Sequence, residues 1–176
     1  QSKYIDFSEF IKHVEQGINV EFDRIYFYAS YSPKSKIPTK REKLYLKNEA
    51  LFYRGVKETK NVVFFTGYRS KASGKEKEVD VKLTADLVSF AFLDRYQSVY
   101  LFTGDADFLQ ALFSIKRHHN KKRIYILCLE NKIMYKGAFH FRMYVFGFKG
   151  KKITFHPKQR VEILDINSQV VTDVVK

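Results

Sequence analysis

Short extended runs alternate with segments of helical spacing along most of this chain, and that alternation limits the fold more than any other feature. Phe7–Gln16 places apolar residues at 7, 10, 11 and 14, the spacing of one helix face, and Gly17 is the expected stop. Asp6, with Glu9 three residues later, has the pattern of a capping box. Arg24–Ala29 (RIYFYA) is aromatic and extended, and prolines and lysines make Ser30–Thr39 a loop. The spacing predicts a helix over Arg41–Arg54, with Leu44, Leu51 and Phe52 inward and Gly55 ending it. Asn61–Phe65 (NVVFF) has the pattern of a buried strand, and Thr66–Lys77 that of a flexible polar loop. A helix from about Asp80 to Tyr96, a strand over Val99–Thr103, a helix over Asp107–His118 and a strand over Arg123–Leu129 complete the series. Such a series folds as α/β, with a mostly parallel sheet and helices on both faces.

The last third departs from the pattern. Met143–Phe148 and Ile153–His156 flank FKGKK and predict an antiparallel β-hairpin, and Val161–Ile166 predicts one more strand. There is no internal repeat and no long linker. The expected organisation is a core over residues 1–130, with a basic extension over 131–176 packed on the same domain.

Charge narrows the partner. The chain carries a formal net charge of +13, which favours a polyanion through phosphate neutralisation and counterion release. Asn131–Arg160 holds eight Lys or Arg and no acid, and Lys34–Lys47 and Lys116–Arg123 are also basic. A solvated lysine-rich surface would explain any one of these stretches. Three of them, interleaved with Tyr and Phe, point to nucleic acid. Cys128, the only cysteine, lies in an apolar run and has no internal disulfide partner, as in a reducing compartment. No apolar run approaches a membrane span and no signal peptide opens the sequence, so a cytoplasmic or nucleoid protein is expected.

Acidic residues are scarce enough for their positions to matter. Asp105 and Asp107 stand in Thr103-Gly104-Asp105-Ala106-Asp107-Phe108, where a strand gives way to a helix. In open α/β sheets ligands bind at that carboxyl edge. Two carboxylates so close repel each other, and a hard cation such as Mg²⁺ or Mn²⁺ relieves the repulsion. A helix cap would account for one of the two aspartates but not both. Asp80 opens the third predicted helix and is itself a cap candidate. Asp86 follows nearly two turns later, roughly on the opposite helix face. His118 and His119 suit a helix C-terminus, while His140 and His156 have no cysteine partners for zinc.

Lys77-Glu78-Val79-Asp80-Val81-Lys82-Leu83-Thr84-Ala85-Asp86-Leu87, then Val99–Thr103, then Gly104-Asp105-Ala106-Asp107-Phe108, resembles the signature of NYN domains of the LabA-like group. The resemblance runs from about Tyr4 to Leu129. It implies a three-layer PIN-like, Rossmannoid fold, an acidic metal site and ribonuclease activity. By position, Asp80, Asp105 and Asp107 match the family's catalytic, metal-holding cluster, and Asp86 a further recurrent aspartate. The family begins with a central strand ending in an aspartate, closely followed by an asparagine. This sequence is expected to start just after it. The strand is then missing from this sequence, supplied by another chain, or replaced by Val161–Ile166 with Asp165 and Asn167.

These readings converge on a ribonuclease dependent on Mg²⁺ or Mn²⁺ and acting on RNA, single-stranded because exposed bases can stack on aromatic side chains. Lys40, Arg41, Arg69, Lys71, Lys77, Lys149, Lys151 and Lys152 are the expected RNA contacts, and a homodimer is admitted. A non-catalytic RNA-binding or regulatory module on the same fold is the rival. A phosphatase or other phosphoryl-transfer enzyme ranks below both.

Overall fold

The first helix, α1 (Phe7–Ile18), opens where the cap pattern requires: Asp6 Oδ1 accepts the Glu9 N–H at 3.1 Å. The Glu9 carboxylate itself takes Lys12 Nζ at 2.8 Å. α1 runs through Gly17 and ends on Asn19, whose φ of 53° is left-handed. Asparagine tolerates that region, so Asn19 is the terminator. The computed structural model describes residues 6–69, 76–129, 141–149 and 152–160, and the chain divides into two compact units, Gln1–Ala85 and Asp86–Lys176.

In the first unit, β1 (Ile25–Ser30) is followed by α2 (Lys40–Glu58), which starts on a full capping box between Thr39 and Glu42. Gly55 does not end α2, because a glycine stops a helix only where the chain needs a left-handed turn. The helix continues to Glu58, and Thr59 caps it through bonds to the Gly55 and Val56 carbonyls. The inward face holds Phe52, as expected, but not Leu44 or Leu51. Leu44 is 60% exposed and Leu51 is exposed, whereas Val56 is fully buried. The stripe through Glu49, Phe52, Tyr53 and Val56 follows the i, i+3, i+4, i+7 rule and faces the sheet. Leu44 and Leu51 lie off it.

β2 (Val62–Arg69) runs parallel to β1, with Ile25 opposite Val62 and Ser30 opposite Gly67. Val63 is partly exposed, so this strand is less buried than its sequence predicts. β2 outlasts the predicted NVVFF strand because Tyr68 and Arg69 pair antiparallel with β3 (Glu76–Lys77), which shortens the expected loop at both ends. The core here is aromatic. Phe27 stacks on Phe64 at 5.5 Å, meets Phe7 edge-on at 5.4 Å and Phe52 at 6.0 Å. Offset and edge-on pairs of this kind each add about 0.5–1.5 kcal/mol beyond area burial. α3 (Val79–Phe92) carries the chain from the first unit into the second. It stops short of the expected Tyr96 because Asp94, at φ 53°, turns the chain.

The second unit has strand order β4 (Ser98–Phe102), β5 (Arg123–Leu129), β6 (Arg142–Lys149), β7 (Lys152–Arg160). β4, β5 and β6 are parallel, and β6 and β7 form the expected antiparallel hairpin. β5 is buried at Ile124, Ile126, Leu127 and Cys128, as a central strand should be. β4 is less buried than its sequence predicts: Leu101 is inside while Phe102 is exposed. Among the described residues β4 pairs with β5 alone. A 3-10 turn, Ala106–Phe108, leads into α4 (Leu109–His118), whose Leu112 and Ile115 are fully buried. Tyr100 stacks on Tyr125 at 4.5 Å with rings 8° apart, and Tyr144 continues the file at 6.1 Å. The fold is mixed α/β with parallel sheets, as the alternation predicts. The described strands form one sheet of three and one of four. Val161–Ile166, with Asp165 and Asn167, lies outside the described residues.

One ion pair ties two connections of the second unit together. The buried Lys122 ammonium donates to Asp94 Oδ1 and to the Tyr96 carbonyl. The Lys122 hydrogen bond and charge hold the Asp94 carboxyl below its usual value of 3.8. A depressed carboxylate pKa means that the unfolded chain binds more protons at acid pH. The pair's contribution is therefore present above the ordinary aspartate value and lost as pH falls through the lower folded one. Asp94→Asn tests this cleanly, since asparagine tolerates a positive φ. Urea unfolding should show the variant less stable than wild type near neutrality, with the gap closing below pH 3.8.

Candidate functional site

The Thr103–Asp107 turn is built by side chains gripping the backbone. Thr103 N–H donates to the Leu127 carbonyl at 3.2 Å, holding the chain against β5 just past the end of β4. Thr103 Oγ1 then accepts the Asp105 N–H at 3.1 Å, and Asp105 Oδ1 accepts the Asp107 N–H at 3.0 Å. Asp105 is thus the cap of the 3-10 turn, and Asp107 sits inside that turn without capping it. Both residues are exposed. The pair stands at the carboxyl end of a parallel strand and at the start of helical backbone, where N–H groups favour the negative charge of the carboxylates.

Asp80 is the second residue of α3 and is exposed. A single residue, Glu78, connects β3 to this helix. Its φ of 74° is left-handed, and its carbonyl accepts the Lys82 N–H at 2.7 Å. A non-glycine residue in that region costs on the order of 1–2 kcal/mol, so the sharp turn that sets Asp80 in the first turn of α3 is held against local strain. Asp86 is half-buried further along the helix. Asp80 belongs to the first unit, and Asp86, Asp105 and Asp107 belong to the second.

Among the described residues, no three His, Cys, Asp or Glu side chains gather as a ligand set. What the structure links directly is Asp105 and Asp107, through the Asp105 Oδ1 bond to the Asp107 N–H. The donors of this pair are carboxylate oxygens, the type a hard divalent cation prefers. Mg²⁺ commonly uses one or two carboxylates and fills its remaining positions with water and substrate phosphate. The donor chemistry of the turn fits such an ion.

Of the expected RNA contacts, Lys40 and Arg41 are exposed in the first turn of α2. Arg69 ends β2, Lys77 ends β3, Lys149 ends β6 and Lys152 begins β7, opposite Lys149 in the hairpin register. Lys71 and Lys151 lie outside the described residues. Sequence reasoning missed a cleft beside Arg41, with Ser32, Pro33 and Ser35 from the loop and Arg41, Glu42, Tyr45 and Leu46 from α2. The available signal was the four-residue spacing of Arg41 and Tyr45, which places them on one helix face.

No helix among the described residues is long and apolar enough to cross a membrane. None of the curated proteins matches the chain. A solved structure of a protein of unknown function from Vibrio parahaemolyticus RIMD 2210633 is similar at 15% identity, over 70% of this chain and 68% of that one, with a TM-score of 0.43. The family model of the NYN domain matches residues 1–146. With the match covering most of the chain and the mixed α/β architecture agreeing with it, the chain belongs to the NYN-domain family.

Proposed function

We propose that this protein is a metal-dependent ribonuclease that hydrolyses phosphodiester bonds of single-stranded RNA in the cytoplasm. The observation that carries the reading is the Thr103–Asp107 turn, which presents two exposed carboxylates at the carboxyl end of β4. NYN nucleases act on nucleic acid and generally depend on a divalent metal. Here Asp105 and Asp107 would hold Mg²⁺ or Mn²⁺, and Asp80 and Asp86 are carried over from the family's pattern as further acidic residues of the reaction. When bound, such an ion supplies positive charge at the scissile phosphate and makes water a better nucleophile. The Asp105 side chain keeps its orientation through its bond to the Asp107 N–H. Lys40, Arg41, Arg69, Lys71 and Lys77 would neutralise RNA phosphates. Lys149, Lys151 and Lys152 would do so from the basic 131–176 extension, which we treat as part of the same domain.

The test is cleavage of an end-labelled single-stranded RNA by the full chain. Cleavage is expected with Mg²⁺ or Mn²⁺ and should stop when a chelator is added. RNA that is bound but left intact in both metals would replace the nuclease by a binding module on the same fold. Release of phosphate from a phosphomonoester, with RNA left whole, would favour a phosphatase.

A further inference from the structure

The cleft on the first unit has chemistry of its own. β1 ends at Ser30, and the loop that follows folds back over α2. Three anchors fix its root. The Tyr53 hydroxyl donates to the Ser30 carbonyl at 3.1 Å, and Lys57 Nζ donates to the Tyr31 hydroxyl at 3.1 Å. The Glu49 carboxylate accepts three bonds from Ser32: the N–H at 3.2 and 3.1 Å to its two oxygens, and the hydroxyl at 2.6 Å. The loop wall is therefore set before any ligand arrives, which lowers the ordering cost of binding.

The opposite wall is the first two turns of α2. Tyr45 is 59% exposed, with its hydroxyl 3.4 Å from Ser32 Oγ. Arg41 lies one turn before it and Leu46 beside it, and Pro33 lines the same open cleft of ≈ 280 Å³. That is just below the usual range of small-ligand clefts, so it suits a single ring and not a larger ligand. The walls offer an aromatic face, a planar guanidinium and apolar carbon, and the Ser32 and Ser35 hydroxyls supply polar edges. Arg41 is the one cation lining the cleft, and the segment 34–47 that contains most of the lining carries six cations, Lys34, Lys36, Lys40, Arg41, Lys43 and Lys47, against one acid, Glu42. Glu42 lines the cleft as well, with its carboxylate held on the Thr39 N–H at 2.6 Å in the helix cap and by the Ser35 hydroxyl.

An exposed ring in a preset cleft, beside a guanidinium and within a strongly basic segment, suits a ligand with a flat apolar face and a phosphate on either side. A plain peptide offers no reason for so many cations, and a duplex keeps its bases stacked inside. We propose that this cleft receives one unstacked nucleobase of a single-stranded RNA, with Tyr45 as its stacking face, Arg41 at the base or its phosphate, and the surrounding lysines on the flanking phosphates. The inference rests on the RNA reading and adds to it a base-holding subsite on the first unit, separate from the Asp105–Asp107 turn. Sequence tolerance follows, since every base has a π face.

The test measures equilibrium binding of the full chain, in a chelator so that cleavage plays no part, to three probes of equal length. They are a single-stranded oligoribonucleotide, an abasic ribose-phosphate strand and an RNA duplex. Wild type should bind the base-bearing strand more tightly than the abasic strand. Tyr45→Ala should weaken the base-bearing strand by about tenfold or more, the usual scale for loss of one stacked base. It should leave the abasic strand and the salt dependence unchanged, because no phosphate contact is removed. Tyr45→Phe should behave as wild type. Tyr45 is largely exposed, so both variants should fold, and circular dichroism checks this. Equal weakening of the base-bearing and abasic strands, no weakening of either, or duplex binding as tight as single-strand binding would each overturn the subsite. None of these outcomes touches the cleavage test, which depends on Asp105 and the metal.

Discussion

Asp105→Asn should lower RNA cleavage by on the order of a hundredfold or more, while the protein folds and binds RNA as before. Asparagine keeps the shape of the side chain, and its Oδ1 can still accept the Asp107 N–H now 3.0 Å from the carboxylate. The cap therefore survives, since asparagine and aspartate are about equally good caps. What disappears is one negative charge of the proposed metal site. Ligands of hard cations act through charge as well as geometry, so affinity for the ion falls and the turnover it supports falls with it. The replacement also ends repulsion between two nearby carboxylates, so stability without metal should hold or rise slightly. The measurement is cleavage rate in saturating Mn²⁺, paired with RNA affinity in a chelator. Wild-type rates from a repurified variant free of contaminating nuclease would remove the proposed site.

Leu112→Ala should destabilise the second unit by about 2–5 kcal/mol, the usual cost of emptying a fully buried leucine site. Leu112 is wholly inaccessible and sits on α4 beside equally buried Ile115. Alanine is the strongest helix former, so the loss reports packing and not helix propensity. The contrasting variant is Leu44→Ala on α2. Sequence spacing turns Leu44 inward, but it is 60% exposed, and its removal should change stability by within about 0.5 kcal/mol. Urea midpoints of the two variants, followed by far-ultraviolet circular dichroism, decide the matter. Similar losses from both would mean that the inward face of α2 is the one the sequence suggests.

The pair Leu44 and Val56 shows how far sequence reading reached. Alternation of strand and helix was plain because each strand is a short run of β-branched and aromatic residues and each helix keeps its period. Helix rotation was less plain, because α2 has apolar residues on several faces and the burying stripe is chosen by Phe27, Phe64 and Phe7, all distant in sequence. Helix ends were misplaced where Gly17 and Gly55 served as signals. Glycine permits a helix interior at a cost of about 1 kcal/mol, and tertiary packing outweighs that here. At the candidate site, the Thr103-to-Asp107 turn was legible because its bonds span two residues each. The Tyr45 cleft was not, because the bond that shapes it joins Ser32 to Glu49, seventeen residues apart.

The file of Tyr100, Tyr125 and Tyr144 has a consequence for how this molecule interacts with light. The chain contains no tryptophan, so its near-ultraviolet absorption and emission come chiefly from its 12 tyrosines. Two of them stack with nearly parallel rings 4.5 Å apart, on neighbouring parallel strands, with the Arg142 guanidinium 5.8 Å from the ring of Tyr125. Transition dipoles at that separation couple, and the sign and size of the coupling depend on the register that sets Tyr100 opposite Tyr125. A slip by one residue would send the two rings to opposite sides of the sheet and end the coupling. The pairing of β4 with β5 therefore carries its own optical label, which requires no added dye and no substitution.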